Sequence, residues 1–182
     1  MVNQMRAPIL ALISVLLASA QTRVKVEKTS VPEKALVFEV SIPAPRSEVW
    51  KAFTTTEGLQ TWLGPLARVD LKEGGDWFVY LGQSTGGGTI QAFVREKEIT
   101  IKALAPDRFP TVRAERTRAR FEFSGEADGP TLVRLTQTGW KNGREWDQAY
   151  EYLAGGNAEL LDMLRTRFVQ GPIDWKKLMG GK

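Results

Sequence analysis

The sequence predicts an α+β fold in which a curved antiparallel sheet of seven strands wraps around one long C-terminal helix. Three observations predict it: a helical spacing of apolar residues over 144–168, a two-residue alternation over 35–42, and a succession of strand and turn patterns between 67 and 140. A single antiparallel sheet has one face to bury, and only a helix of this length is large enough to cover it.

Residues 144–168 carry the longest helical pattern. Apolar and aromatic side chains recur there at spacings of three and four, which places them on one face: Trp146, Tyr150, Leu153, Leu160, Leu161, Leu164 and Phe168. At ~1.5 Å per residue the helix would be about 37 Å long. Gly155, Gly156 and Asn157 interrupt it, and because a helical glycine costs roughly 1 kcal/mol relative to alanine, we expect close packing or a cavity there.

The remaining elements follow from shorter patterns. Alternation predicts the first strand over 35–42, and two short helices should follow it, over 47–53 and from Thr54 onward. Six more strands are expected near 67–71, 76–81, 89–95, 98–104, 117–124 and 131–138. Turns are expected at 73–75, 86–88 and 128–130, and a long loop at 105–116.

Length and composition limit the possible functions. With 182 residues and 42% hydrophobic content, one domain is the default, placed at 35–170. The net charge of +4 is too small to indicate nucleic-acid binding. Cysteine and histidine are both absent, which excludes thiol nucleophiles, disulfides, imidazole chemistry and the usual zinc ligands. No metal, cofactor or catalytic residue is predicted.

The N-terminus has the pattern of a secretory signal peptide over 1–20. Arg6 precedes an apolar run, and Ala18-Ser19-Ala20 has the small residues that a signal peptidase recognises. An uncleaved anchor fits less well, because the apolar run is shorter than the ~20 residues of a spanning helix. We therefore expect cleavage after Ala20, a secreted or periplasmic protein without stable membrane insertion, a flexible lead-in at 21–34 and a tail at 171–182.

Three segments carry a resemblance to a known family: Pro43-Ala44-Pro45-x-x-x-Val49-Trp50-x-Ala52-Phe53-Thr54 with Leu59-x-x-Trp62-Leu63-Gly64-Pro65, the run Arg68 to Gly75, and Gly139-Trp140 with Gly156-x-x-x-x-Leu161-Asp162-x-Leu164. They resemble the SRPBCC or START-like superfamily, and within it the family named after the C-terminal domain of the activator of heat shock protein 90 ATPase. The resemblance implies a helix-grip fold whose sheet and long helix enclose a mostly apolar cavity. It implies no single activity. Asn157 stands where such relatives usually carry tryptophan.

Six residues are candidates for ligand binding. Arg113 and Arg116 precede the alternation of the strand at 117–124, so they could reach a cavity mouth and hold a ligand carboxylate. Indole and phenol groups often line small-molecule pockets, and a polar residue on an apolar helix face needs a partner. Trp62, Trp77, Tyr150 and Asn157 are therefore predicted wall residues, although all three aromatics are also explained by core packing.

Two classes of function fit these observations. The first is a secreted binding protein that encloses a small hydrophobic or amphipathic molecule in a cavity between the sheet and the C-terminal helix, without changing it. The second is an enzyme similar to polyketide cyclases or hydratases, which would need a carboxylate or tyrosine pointing into the cavity. Chaperone activation, which the family name suggests, is disfavoured by the predicted export. The sequence does not specify an oligomeric state.

Overall fold

A computed structural model describes residues 24–81 and 84–178 of the chain. The predicted signal peptide, 1–20, lies outside the described residues. The strands are β1 (Val24–Thr29), β2 (Ala35–Ile42), β3 (Arg68–Val69), β4 (Asp76–Leu81), β5 (Ser84–Val94), β6 (Glu98–Leu104), β7 (Thr117–Ser124) and β8 (Thr131–Thr138). The helices are α1 (Arg46–Thr54), α2 (Thr56–Gln60), α3 (Pro110–Glu115), α4 (Arg144–Gln170) and α5 (Trp175–Leu178).

The strands form one antiparallel sheet in the order β1-β2-β8-β7-β6-β5-β4-β3. The long helix α4 is continuous over 27 residues and packs against β1, β2 and α3. The predicted α+β fold, with an antiparallel sheet and a long C-terminal helix, is therefore confirmed. The sheet has eight described strands where the sequence predicts seven.

The additional strand is β1, which lies in the segment predicted to be a flexible lead-in. It pairs with β2 along its whole length, from Val24 opposite Val40 to Thr29 opposite Ala35. Without it the buried strand β2 would present an open row of backbone donors and acceptors. The sequence of β1 gave little indication of this role, because only Val24 of its six residues is buried.

Two further segments differ from the prediction. The loop expected at 105–116 contains the short helix α3, with a proline in its first turn. The glycines at 86–88, expected to form a turn, lie inside β5 and pair with β4. Gly87 has a φ of +100°, and a Cβ atom there would lie 1.9 Å from the Trp77 carbonyl oxygen. Only glycine permits this close approach between β4 and β5.

The core lies between one face of the sheet and helices α1, α2 and α4. Phe53 of α1 is fully buried, and its ring stacks on Trp62 and Trp77 with centroids 5.9 Å and 5.0 Å apart. Leu161 and Leu164 of α4 are also fully buried. Burial of each such side chain contributes roughly 1.5 to 3 kcal/mol, which explains why the apolar face of α4 is fixed on the sheet.

Candidate functional site

An open pocket of about 520 Å³ lies beside α3; we call it the arginine pocket. Its wall combines three guanidinium groups and one carboxylate with apolar side chains: Arg68, Arg113, Arg116, Asp107, Phe78, Leu104, Pro110, Ala114 and the polar Thr85. A wall of this composition suits a molecule that is partly apolar and partly anionic.

The floor of the arginine pocket is one row of residues across four strands. Arg68 lies opposite Phe78, Phe78 opposite Gly87, and Gly87 opposite Leu104. Since successive side chains of a strand alternate, this row faces away from the core face that carries Trp77. Gly87 contributes no side chain, so the row leaves a depression between Phe78 and Leu104.

Arg113 is held firmly at one side of the pocket. Its guanidinium donates hydrogen bonds to the Ala105 carbonyl, to the Thr85 carbonyl at 3.1 Å and to Thr85 Oγ1 at 2.8 Å. Its Nε lies 3.0 Å from a carboxylate oxygen of Asp107. With these partners Arg113 ties α3 to β5 and to the end of β6, and it has little remaining capacity for a ligand.

Arg116 is the opposite case. Among the described residues its half-buried guanidinium has no hydrogen-bond or ion-pair partner, and it lines the pocket beside Arg113. Burial, and then the charge of Arg113, lower the pKa of Arg116 from its usual value. Its backbone has a φ of +68° and a ψ of 146°, a conformation that costs a non-glycine residue of order 1–3 kcal/mol. An anion bound here would pair with a guanidinium that has no other partner among the described residues.

Helix α3, which contains Arg113 and is followed directly by Arg116, is attached to α4 by one carboxylate. Glu145 accepts hydrogen bonds from the Thr111 amide at 2.6 Å, from Thr111 Oγ1 at 2.7 Å and from the Val112 amide at 3.0 Å. These amides belong to the first turn of α3, where helical N–H groups otherwise lack partners. Desolvation opposes ionisation of Glu145, but these hydrogen bonds outweigh it and lower its pKa.

A second, smaller hollow of about 230 Å³ also has Arg116 in its wall. We call it the notch. Its wall is mostly polar and contains three cations and one acid: Lys102, Arg116, Arg118, Glu33, Gln91, Thr117, Thr138 and Gly139. Arg116 is therefore common to the walls of the notch and of the arginine pocket.

The three aromatic residues predicted as wall residues lie in the core and line neither hollow. The indole N–H groups of Trp62 and Trp77 donate to the backbone carbonyls of Ala52 and Phe53 at 2.9 Å and 3.0 Å. The Tyr150 hydroxyl donates to the Ala35 carbonyl at 2.8 Å. Their polar groups are satisfied by the backbone, which is the structural role that their sequence pattern also allowed.

Asn157 faces the sheet and not the arginine pocket. Its amide donates a 2.7 Å hydrogen bond to the side-chain carbonyl of Gln137, whose own amide donates to Thr117 Oγ1 at 2.7 Å. Beside it, a Cβ atom on Gly155 or Gly156 would have no neighbour within 4 Å. The close packing that the sequence allowed is therefore absent at both glycines, and because Gly155 is exposed, the space beside it is open to solvent.

The sequence missed the other residues of the arginine pocket, above all Arg68, Phe78 and Leu104. They come from three strands and meet only through the register of the sheet, so no local pattern in the sequence joins them. In the described part of the chain, no group of three or more His, Cys, Asp or Glu side chains is placed to hold a metal ion. No helix of that part is long and apolar enough to cross a membrane.

Comparison with known proteins agrees with this fold. The Aha1 dimer from Colwellia psychrerythraea superposes with a TM-score of 0.61 at 16% identity, over 75% of this chain and 97% of that one. The protein MLL2253 from Mesorhizobium loti gives 0.60 at 18% identity, over 76% and 99%. CalU16 from Micromonospora echinospora gives 0.57 at 20% identity, over 86% and 87%. At these identities the likeness is one of fold alone.

No curated protein sequence matches the chain. The family described as activator of Hsp90 ATPase homolog 1-like protein matches residues 43–168, which extends from the end of β2 to the last turns of α4. This is more than half of the chain and includes both hollows except for Glu33. The chain therefore belongs to the family of activator of Hsp90 ATPase homolog 1-like proteins.

Proposed function

We propose that this protein binds a small amphipathic molecule with an anionic group, such as a carboxylate, and releases it unchanged. The arginine pocket is the binding site, and the unpaired guanidinium of Arg116 is the observation that carries the proposal. In this pocket the anionic group would accept a charge-assisted hydrogen bond from the guanidinium of Arg116.

The size and wall of the pocket support a ligand of this kind. Its volume of about 520 Å³ lies within the ~300–1,000 Å³ typical of small-molecule sites. Phe78 and Leu104 offer an apolar floor, while Arg68 packs its guanidinium 5.3 Å from the centre of the Phe78 ring. A ligand would therefore lay its apolar part across the floor and direct its charge toward α3.

Catalysis is less well supported than binding. The one carboxylate in the wall, Asp107, is paired with Arg113. The Tyr150 hydroxyl is bonded to a backbone carbonyl, and burial raises its pKa above its usual value, which makes it a poor base near neutral pH. An enzyme similar to polyketide cyclases or hydratases, the alternative from the sequence, would need a differently placed acid or base.

We further propose that the protein acts outside the cytoplasm, on the basis of the signal-peptide pattern over 1–20. Exported material should begin at Gln21, which N-terminal sequencing would establish. A protein that begins at Met1 and is recovered from the cytoplasm would contradict export, and chaperone activation would then regain weight.

Fluorescent probes test the binding site. Anilinonaphthalene sulfonate is apolar and anionic, whereas N-phenylnaphthylamine is apolar and neutral. We expect Arg116→Gln to weaken binding of the sulfonate about tenfold, because a hydrogen bond to a charged group is lost, while binding of the neutral probe is unchanged. Leu104→Glu should weaken binding of both.

Arg120→Gln provides the matched control. Arg120 is an exposed arginine of β7 that pairs with Glu98 and Glu122 and lines neither hollow. This variant should bind both probes as the wild type does. Equal sulfonate affinity in the wild type and in Arg116→Gln would overturn the proposal, and turnover of an added substrate would favour the enzyme.

A further inference from the structure

The floor of the notch contains two like charges directly opposite each other on neighbouring strands. Lys102 of β6 faces Arg118 of β7 in the register of the sheet. Thr89 is the neighbour of Lys102 on β5, and Thr138 is the neighbour of Arg118 on β8. Four strands therefore present a row of hydroxyl, ammonium, guanidinium and hydroxyl groups on the face of the sheet that points away from the core.

Neither cation of this row is compensated. Among the described residues, the side chains of Lys102 and Arg118 have no hydrogen-bond or ion-pair partner. Like charges in directly opposite positions of an antiparallel pair are destabilising. The other arginines of this face are arranged differently: Arg120 pairs with Glu98 and Glu122, and Arg134 donates to Glu39 at 2.9 Å. The row that forms the notch therefore lacks the acids that neutralise Arg120 and Arg134.

A third cation and further polar groups surround this pair. Arg116 lines the notch together with Arg118, and among the described residues its guanidinium is also unpaired. Gln91 lines the notch next to a register shift of β5, and Glu33 is the one acid in the wall. Three positive charges against one negative charge leave an excess of two in a hollow of about 230 Å³.

We propose that the notch is a binding site for a tetrahedral oxyanion, either inorganic phosphate or the phosphomonoester group of a larger molecule. Such an ion carries a negative charge of about −1.5 to −2 near pH 7, which nearly balances the two excess positive charges of the notch, and it has several acceptor oxygens. Arg116 and Arg118 would supply planar donor pairs, Lys102 a compact point charge, and Thr138 a hydroxyl donor. The hollow is much larger than the ~30 Å³ share of one water molecule, so it has room for the ion and part of its hydration.

This site does not depend on the proposed function of the arginine pocket. The apolar floor of that pocket, Phe78 and Leu104, has no part in the notch, and Lys102 and Arg118 have no part in the pocket. Arg116 alone is common to both. A test through Lys102 and Arg118 therefore leaves the amphipathic ligand site intact.

Titration calorimetry with inorganic phosphate, against sodium chloride of equal ionic strength, tests the site in the exported chain. We expect saturable binding by the wild type and affinity about tenfold weaker in Lys102→Gln and in Arg118→Gln. Arg134→Gln is the control, since it removes one positive charge from the same face at a position paired with Glu39, and it should bind phosphate as the wild type does. Binding of the neutral naphthylamine probe should be unchanged in all three variants.

Thermal unfolding supplies a second readout. Because Lys102 and Arg118 repel each other without a ligand, Lys102→Gln should raise the midpoint in chloride, and phosphate should raise the midpoint of the wild type and of Arg134→Gln more than that of Lys102→Gln. A wild type that neither binds phosphate nor gains thermal stability from it, and that ignores vesicles containing phosphatidic acid, would overturn the proposal. Equal phosphate affinity in the wild type and Lys102→Gln would do the same.

Vesicles distinguish the two sources of the oxyanion. Co-sedimentation with vesicles of phosphatidylcholine plus phosphatidic acid, lost in Arg118→Gln and absent with phosphatidylcholine alone, would indicate a lipid headgroup. Phosphate binding without co-sedimentation would indicate a soluble phosphate or phosphomonoester.

Discussion

The amide of Asn157 on α4 donates a 2.7 Å hydrogen bond to the side-chain carbonyl of Gln137 on β8. Gln137 is 3% exposed, and its own amide donates a hydrogen bond to Thr117 of β7, which is equally well buried. A polar chain of three side chains thus joins the long helix to the sheet in the middle of an apolar interface. It explains how an asparagine is tolerated on the buried side of α4, because its donor has a partner there.

Replacing Asn157 by leucine should destabilise the protein by about 1 to 3 kcal/mol, because the carbonyl oxygen of Gln137 would remain buried without a donor. Urea unfolding would measure the loss. The double variant Asn157→Leu/Gln137→Met should be more stable than the sum of the two single changes predicts, since both polar partners leave together. Strict additivity would mean that the two side chains do not interact.

Acid should release α3 from α4 through Glu145. The pKa of this carboxyl is lower in the folded protein than its ordinary value of 4.5. Its ionised form therefore stabilises the fold above pH 4.5, and this contribution is lost as the pH falls through the lowered pKa. We expect Glu145→Gln to reduce stability near neutral pH and to flatten the decline of the urea midpoint below pH 4.5. Parallel pH profiles for the two proteins would contradict this role.

The glycines of β5 offer a matched pair of substitutions. A Cβ atom on Gly87 would lie 1.9 Å from the Trp77 carbonyl oxygen, and the residue has a φ of +100°, whereas a Cβ atom on Gly86 would meet nothing within 4 Å. Gly87→Ala should therefore cost about 2 kcal/mol or more, and Gly86→Ala should be neutral or stabilising by up to about 1 kcal/mol. Thermal unfolding of both variants would compare them, and similar midpoints would contradict the close approach of β4 and β5.

Much of the fold could be predicted because its largest elements have local signals. The 27 residues of α4 repeat their apolar pattern through seven turns, so the helix is specified within its own sequence. Strand β1 lacked such a signal: its residues Val24 to Thr29 alternate weakly, and it becomes a strand by completing the edge of β2. Pairing with β2, the next strand along the chain, decided its structure.

The same distinction applies to the candidate site. Arg113 and Arg116 stood out in the sequence because they fall before a regular alternation, and the structure places both at the arginine pocket. Phe78 and Leu104 read as ordinary strand residues. They become a pocket floor only because Gly87 lies between them in the register, which a single sequence does not reveal. Whether any of the predicted residues binds a ligand stays a prediction.

Removing the side chain of Arg116 should weaken ligand binding without lowering the stability of the fold. Its φ of +68° is unfavourable for any side chain, and its guanidinium contributes no hydrogen bond or ion pair to the described part of the structure. Glycine adopts this conformation without strain but loses more backbone entropy on folding, by roughly 0.5 to 1 kcal/mol relative to alanine. Relief of about 1 to 3 kcal/mol of strain should offset that loss. We therefore expect Arg116→Gly to unfold at the same urea concentration as the wild type or a higher one, while binding anilinonaphthalene sulfonate about tenfold more weakly.

Arg113→Gly is the contrasting variant, because it removes a side chain that bonds to Thr85, Ala105 and Asp107, and it should destabilise the protein. A large loss of stability in Arg116→Gly would show that the strained arginine supports the fold, and it would remove the reason for assigning it to a ligand.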